Sequence, residues 1–486
     1  MKRSATYREK FVHSVFLFWA FFVTGIHNAM HGPALLDLAQ ITHTNVEQAS
    51  VFFTAMAAGG LLGTMCLSWL FDRFPRHQCL LLGVSSFGVG ITMAAIPWSL
   101  QYILTIALCF INQFLSGGME TVCNTDMVAT WGSEGNMHLQ FMHFTLAAGA
   151  TIAPLIVEPF LAKSQNLNLI SSDETANGTV FPSSISTSHS LAFLNEPNNS
   201  VMYNVTNTTG FLPRHNQAEV PSLIQYAYLI SGVMSITAAV PFLVEICTSD
   251  RRSRHRPAQS DQLARPALPP RLRYPVFIFV GLFFVCTCAA GGSYIAYLAT
   301  FFVKQRGWTK YLASLITTAF WGSLCLFRLV AVVLCKFLSP LVMMNVFQTL
   351  MLLSMLMTWL FVHLDSDTCL WISVIGTGAS ISTLFASMVA YVNNDVMPVT
   401  GSVTTIVMIG SNISGILNPV VMGHLLQEVS IMWFVYLPII EQAAAFAAFL
   451  GLVLYSKVCI SPYVQKCSVL TEAEADLDTP VMKNTD

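Results

Sequence analysis

Between residues 113 and 124 the sequence sets Gln113, Gly117, Glu120 with Thr121, and Asn124 at i, i+4, i+7/i+8 and i+11, a single polar stripe along an otherwise apolar helix. Counted from a span centre near residue 113 at 1.5 Å per residue, Glu120 lies ~10 Å from the membrane midplane, still inside the hydrocarbon. Asp126, by the same count, lies ~20 Å out and is expected at the headgroups, solvated. An ionised group facing lipid at the depth of Glu120 would cost about 3 kcal/mol, so such residues face a cavity or a partner. There Glu120 could coordinate a cation, carry a proton or accept hydrogen bonds from a solute. Held neutral or paired, it could equally serve only to tie helices together.

Two further groups fall at the same depth. Arg328 sits ~7 Å below the midplane of its own span, and His143 is level with both. A charge cluster of Glu120, Arg328 and His143 would form in one state of a moving protein and loosen in another; a permanent ion pair is the competing reading. In GIHNAMHG, His27 and His31 at i, i+4 have a metal-binding spacing, but no cysteine or carboxylate joins them at a recognisable distance, so no metal site is expected. Polar lining or satisfied helix-packing histidines are the alternatives. Glu441 and Gln442 lie mid-span near the C-terminus with no role assigned.

These side chains need helices to hold them in lipid. The chain has 486 residues, 54% apolar and 10% charged, with a mean hydropathy of +0.61. Soluble domains carry about 25% charged residues, so the deficit points to a polytopic membrane protein. A net charge of −2 gives no reason to expect nucleic acid. The basic start runs into VFLFWAFFVTGI, which reads as a first span rather than a cleaved signal. At roughly 20 apolar residues per span, twelve spans centre near residues 23, 58, 88, 113, 150, 234, 288, 323, 351, 380, 414 and 444. The expected division is a cytoplasmic tail (1–10), a six-helix half (11–246) with a polar loop (162–221), a basic linker (247–274), a second half (275–456) and a tail (457–486).

With the N-terminus cytoplasmic, that side holds seventeen Lys and Arg against five on the other, which fixes both termini inside. The 162–221 loop, placed outside by that count, carries four N-x-S/T sequons at Asn177, Asn198, Asn204 and Asn207, expected sites of glycosylation. It has no cysteine, so the twelve cysteines imply no extracellular disulfide framework.

Two sets of six spans suggest a repeat, and GATIAP (149–154) in span 5 is echoed by SGILNP (414–419) in span 11. SWLFDRFPRH (68–77) resembles the loop 2–3 signature of the major facilitator superfamily, with Asp72, Arg73 and Arg76 in the matching places. In that family the loop latches the two halves. Glu120-Thr121-x-x-Asn124, Trp131-Gly132 and FMHFTLAAGATIAPLIVEPFL (141–161) resemble the sodium-dependent glucose transporter 1-like group, itself similar to fucose–proton permeases.

The resemblance implies an all-α membrane protein of twelve transmembrane helices in two pseudo-symmetric halves. It further implies a secondary transporter that moves a hexose such as glucose with sodium as co-substrate, without a cofactor, as a monomer in the plasma membrane. Sugar sites join amide or carboxylate groups to an aromatic face. The candidates are Asn28, Gln113, Glu120 and Asn124 in the first half, and Tyr294, Tyr297, Trp321 and Asn412 in the second, although Tyr and Trp also serve ordinary packing. A uniporter, a proton-coupled carrier of another small polar solute and a non-transporting adaptor or sensor remain open. No GxxxxGK[ST], HExxH or GxSxG occurs, which argues against ATP-driven transport and against a membrane enzyme.

Overall fold

The computed structural model describes residues 7–74, 77–131, 135–162, 221–248, 268–397, 401–463 and 465. Met1–Leu161 and Ser222–Asp486 form one compact unit; Ala162–Pro221 is set apart, and of it only Ala162 and Pro221 are described. All four expected sequons, the Arg76 position and most of the basic linker therefore fall outside the described residues.

Among those residues twelve helices are long and apolar enough to cross a membrane. They are α1 (Tyr7–Ile41), α2 (Val46–Arg73), α3 (Gln78–Ala95), α4 (Tyr102–Trp131), α5 (Gly135–Val157), α6 (Ile224–Thr248), α7 (Pro270–Arg306), α8 (Lys310–Leu334), α9 (Pro340–His363), α10 (Asp367–Tyr391), α11 (Gly401–His424) and α12 (Trp433–Tyr455). Helix α7 begins at Pro270, inside the stretch read as linker. Odd-numbered helices run from the end holding Tyr7, the terminal end, to the distal end; even-numbered helices return.

Local chemistry marks the turns. Asn45 and Gln48 form a capping box at the start of α2, Thr309 caps α8, and Ser339 followed by Pro340 starts α9. Helix α7 ends at Gly307, whose φ of 65° is left-handed and open to glycine at little cost.

Within lipid, apolar side chains gain little by leaving their surroundings, so helix pairing depends on close packing and interhelical hydrogen bonds. Glycines supply the closeness in the first half. A Cβ added at Gly59 would come within 2.2 Å of the Phe110 carbonyl oxygen, and one at Gly63 within 1.8 Å of that of Phe114, so α2 and α4 meet backbone to backbone. Gly25 and Gly149 do the same for α1 and α5, each against a carbonyl of the other helix.

The halves, α1–α6 and α7–α12, meet along a seam formed by α2 with α11, α5 with α8 and α1 with α7. At the distal end this seam is tight. Thr54 Oγ1 donates to the Ile416 carbonyl at 3.0 Å, and Gly32 lies so close to α7 that a Cβ there would stand 2.2 Å from the Ile295 oxygen. Two ion pairs close the same end: Lys310 with Asp37, whose side chain is fully buried, and Glu47 with His424 at 3.0 Å. The seam face of α2 runs through Glu47, Ser50, Thr54 and Ala57 and continues by helical spacing to Met65, which is 62% exposed. On α11, Met408 is 44% exposed. The contacts named between α2 and α11 thus lie toward the distal end.

Candidate functional site

A central cavity of about 230 Å³ lies between the halves. Its walls come from α1, α2 and α4 on one side and from α7 and α11 on the other. Asn28 and Gln113, singled out in the sequence, meet here: Gln113 Nε2 donates to Asn28 Oδ1 at 3.2 Å. Tyr297 also lines the cavity. Its ring packs edge-on against Phe53 of the other half at 5.7 Å, and its hydroxyl donates to the Pro419 carbonyl at 3.1 Å.

The wall opposite Asn28 holds a residue that sequence reasoning passed over. Asn418 Nδ2 donates to the Ala289 carbonyl at 2.6 Å and to Ser293 Oγ at 2.9 Å, which pins α11 to α7. The available signal was an amide one residue before a helix proline in SGILNP, a segment read only for its small residue and proline. Among the described residues, none of the side chains lining the cavity is Asp, Glu, Lys or Arg, and the titratable nitrogens there are those of His31, whose Nδ1 meets the Tyr228 hydroxyl at 3.0 Å. His27 likewise faces α6, with Nε2 2.9 Å from Ser235 Oγ.

The other sequence candidates fall elsewhere. Tyr294 is buried inside the second half, its hydroxyl donating to Thr358 Oγ1 at 3.3 Å, and does not line the cavity. Trp321 is 6% exposed with its indole N–H unpartnered among the described residues, and Asn412 turns back onto the Met408 carbonyl of its own helix. Arg73 is exposed at the end of α2, its guanidinium 5.9 Å from the Phe74 ring centre; the Asp72 side chain lies outside the described set.

Glu120, Arg328 and His143 do converge. Arg328 Nη1 reaches from α8 across the seam and donates to the His143 backbone carbonyl on α5 at 2.9 Å. Glu120 is half-buried and close enough to Arg328 for electrostatic interaction, without a direct ion pair between them. The cluster thus joins Arg328 to the backbone of His143, not to its ring. One turn on, Asn124 Oδ1 is buried with no hydrogen-bond partner among the described residues. Glu120 follows Gln113 by two helical turns, ~10 Å along α4, so charge and cavity occupy different levels of one helix.

Asp126 corrects an expectation. It is not solvated at a helix end but 1% exposed, with its carboxylate 2.7 Å from His13 Nε2 on α1. Nearby, the Trp131 indole donates to Ser14 Oγ at 2.7 Å, so the last turns of α4 are fastened to α1. Counting residues gave the depth; it could not show that α1 covers that face of α4.

Gly292 offers a direct test of the cavity. It lines the space, and a Cβ added there would meet nothing within 4 Å. Gly292→Phe is expected to fill the cavity and abolish solute binding while leaving thermal stability within a few degrees of the parent. Retained binding would show that the solute sits elsewhere.

Residues 218–419 match the sequence profile described as Major Facilitator Superfamily. The chain is 24% identical over 500 residues to mouse major facilitator superfamily domain-containing protein 4A, covering 94% of each. It is 26% identical over 416 residues to mouse sodium-dependent glucose transporter 1A, covering 84% of this chain and 88% of the relative. Among solved structures, a D-xylose–proton symporter superposes with a TM-score of 0.63 at 11% identity, over 90% of this chain and 96% of that one.

Proposed function

We propose that the chain is a member of the Major Facilitator Superfamily and a secondary transporter of an uncharged, hydroxyl-rich solute of monosaccharide size, a hexose such as glucose, moved together with sodium or a proton. The observation that carries this reading is the chemistry of the central cavity. Among the described residues it is lined by amides, hydroxyls, His31, Cys288 and apolar side chains, with no carboxylate or ammonium to pair with a charged solute. Burying an unpaired charge there would cost several kcal/mol, which disfavours amino acids, carboxylates and nucleotides. The relative named for sodium-dependent glucose transport points to the same class of solute.

Transport then proceeds by the two halves rocking about the cavity. The Lys and Arg distribution supports a cytoplasmic N-terminus, in which case the distal end is extracellular and a conformation held closed there by Lys310–Asp37 and Glu47–His424 faces inward. Glu120 is the coupling acid. It stands two turns from the cavity, near Arg328 and one helical turn from Asn124, whose Oδ1 has no partner among the described residues, where a sodium ion or a proton would offset its charge.

The reading is tested by radiolabelled glucose uptake into vesicles carrying the protein, with a sodium, potassium or proton gradient imposed in turn. Accumulation driven by one cation gradient is expected; no uptake of any hexose under any gradient would remove the named substrate. Glu120→Gln is expected to lower gradient-driven accumulation at least tenfold while solute exchange at equal concentrations persists. An unchanged ion dependence in that variant would end the coupling role.

A further inference from the structure

We infer that the amide pair Asn28–Gln113 is a reader of two adjacent hydroxyls, so that the transported solute must present a vicinal diol to α1 and α4. This rests on the proposed transport of a neutral, hydroxyl-rich solute and adds which part of that solute is recognised.

The two amides share one hydrogen bond, Gln113 Nε2 to Asn28 Oδ1 at 3.2 Å. A primary amide carries an acceptor oxygen and a two-hydrogen donor nitrogen, so one shared bond leaves the pair unsaturated. Gln113 Oε1 remains an acceptor and Asn28 Nδ2 a donor. Reversing both amides exchanges the roles and still leaves one carbonyl oxygen and one N–H group, so the recognition does not depend on which nitrogen donates. Both side chains are half-buried and line the cavity, and neither free group is among the buried polar atoms lacking a partner. They therefore open into the cavity.

A donor beside an acceptor, fixed by their mutual bond, complements two neighbouring hydroxyls: one donates to Gln113 Oε1 and the next accepts from Asn28 Nδ2. The mutual bond also pre-orients both amides, so little rotamer freedom is lost when the solute arrives. Across the cavity, the amide of Asn418 already spends its nitrogen on Ala289 and Ser293, and the Tyr297 hydroxyl is held by Pro419. Phe53, Met56 and Ala296 add apolar surface suited to the C–H face of a ring. Asn418 Oδ1 is buried without a partner among the described residues, an acceptor whose own amide nitrogen is already spent, so the paired donor and acceptor are those on α1 and α4.

The experiment is a double-mutant cycle between protein and solute. Equilibrium binding of glucose and of each monodeoxyglucose is measured on the full-length parent, on Asn28→Ala and on Asn28→Asp. Asn28→Asp keeps the shape and the bond from Gln113 but replaces the free donor with an acceptor, so it remains informative if the alanine variant folds poorly. For the parent, removing either hydroxyl of one adjacent pair is expected to weaken binding about tenfold, the value of a hydrogen bond near 1.4 kcal/mol. In both variants glucose should weaken by a similar factor, and the penalty for the hydroxyl that accepts from Asn28 should vanish. Equal penalties for every deoxy sugar in parent and variants would overturn the diol assignment while leaving sugar transport standing. Acetamide, which presents the same donor–acceptor edge, displacing glucose with no deoxy sugar weakened would also overturn it. No binding of any sugar by the parent would overturn the transport reading itself, and the assignment with it.

Discussion

Lys310→Glu is expected to reduce solute uptake at least tenfold, and Asp37→Lys placed in the same chain is expected to restore most of it. Asp37 belongs to α1 and Lys310 to the first turn of α8, so their ion pair crosses the seam between halves at the distal end. Asp37 is fully buried, and removing one partner of a buried pair costs about 3–5 kcal/mol. That cost falls on the conformation in which the distal end is closed, because rocking the halves apart there separates the partners. A bias of about 3 kcal/mol moves a two-state equilibrium by about two powers of ten. The single reversal therefore holds the carrier open at its distal end. Cys288 lines the cavity and reports this directly. In a chain with the other cysteines replaced, its labelling by a membrane-impermeant thiol reagent should rise from the distal side in Lys310→Glu and fall back in the double exchange. Unaltered labelling and uptake would mean that the pair is decorative. Glu47 and His424 share the same end but are 37% and 56% exposed, so their loss should shift the equilibrium far less.

The second large effect is on folding itself. Gly63→Leu is expected to abolish recovery of a monodisperse protein, because its Cβ would stand 1.8 Å from the Phe114 carbonyl oxygen, a backbone atom that cannot rotate away. The helices would have to separate, and the neighbouring Gly59 contact with Phe110 would open with them. Ordinary overpacking costs about 1–3 kcal/mol, and a backbone-to-backbone clash belongs at or above the top of that range. Size-exclusion chromatography and thermal unfolding measure it, with Gly292→Ala as the comparison, since that methyl meets nothing within 4 Å. A well-folded Gly63→Leu protein would show that α2 and α4 are not locked by this approach.

The span count and the two-half arrangement were legible in the linear sequence, because each depends on apolar run length and rise per residue. Asn28, Gln113, Tyr297, Glu120 and Arg328 were legible for a related reason. A polar group on an apolar helix must be buried against protein or open to a cavity, so its presence alone narrows its surroundings. Asp126 was misplaced because its depth is a one-dimensional count while its burial is a property of a neighbouring helix. Tyr294 and Trp321 had the chemistry of a sugar platform but are buried away from the cavity lining, Tyr294 against Thr358 of its own half, and aromatic character carries no direction.

Left to itself, the sequence determined that this chain crosses a membrane twelve times and which residues would be costly in lipid, since those follow from composition and local periodicity. Only the tertiary structure decided which of them share a cavity: that Asn28 meets Gln113, that Asn418 closes the opposite wall, and that among the described residues no Asp, Glu, Lys or Arg joins them. It alone also decided that Asp37 and Lys310, 273 residues apart, bind the halves together at one end. Helix rotation and pairing are set by backbone approach at a few glycines and by contacts between distant segments. Those quantities appear only when the helices are brought side by side.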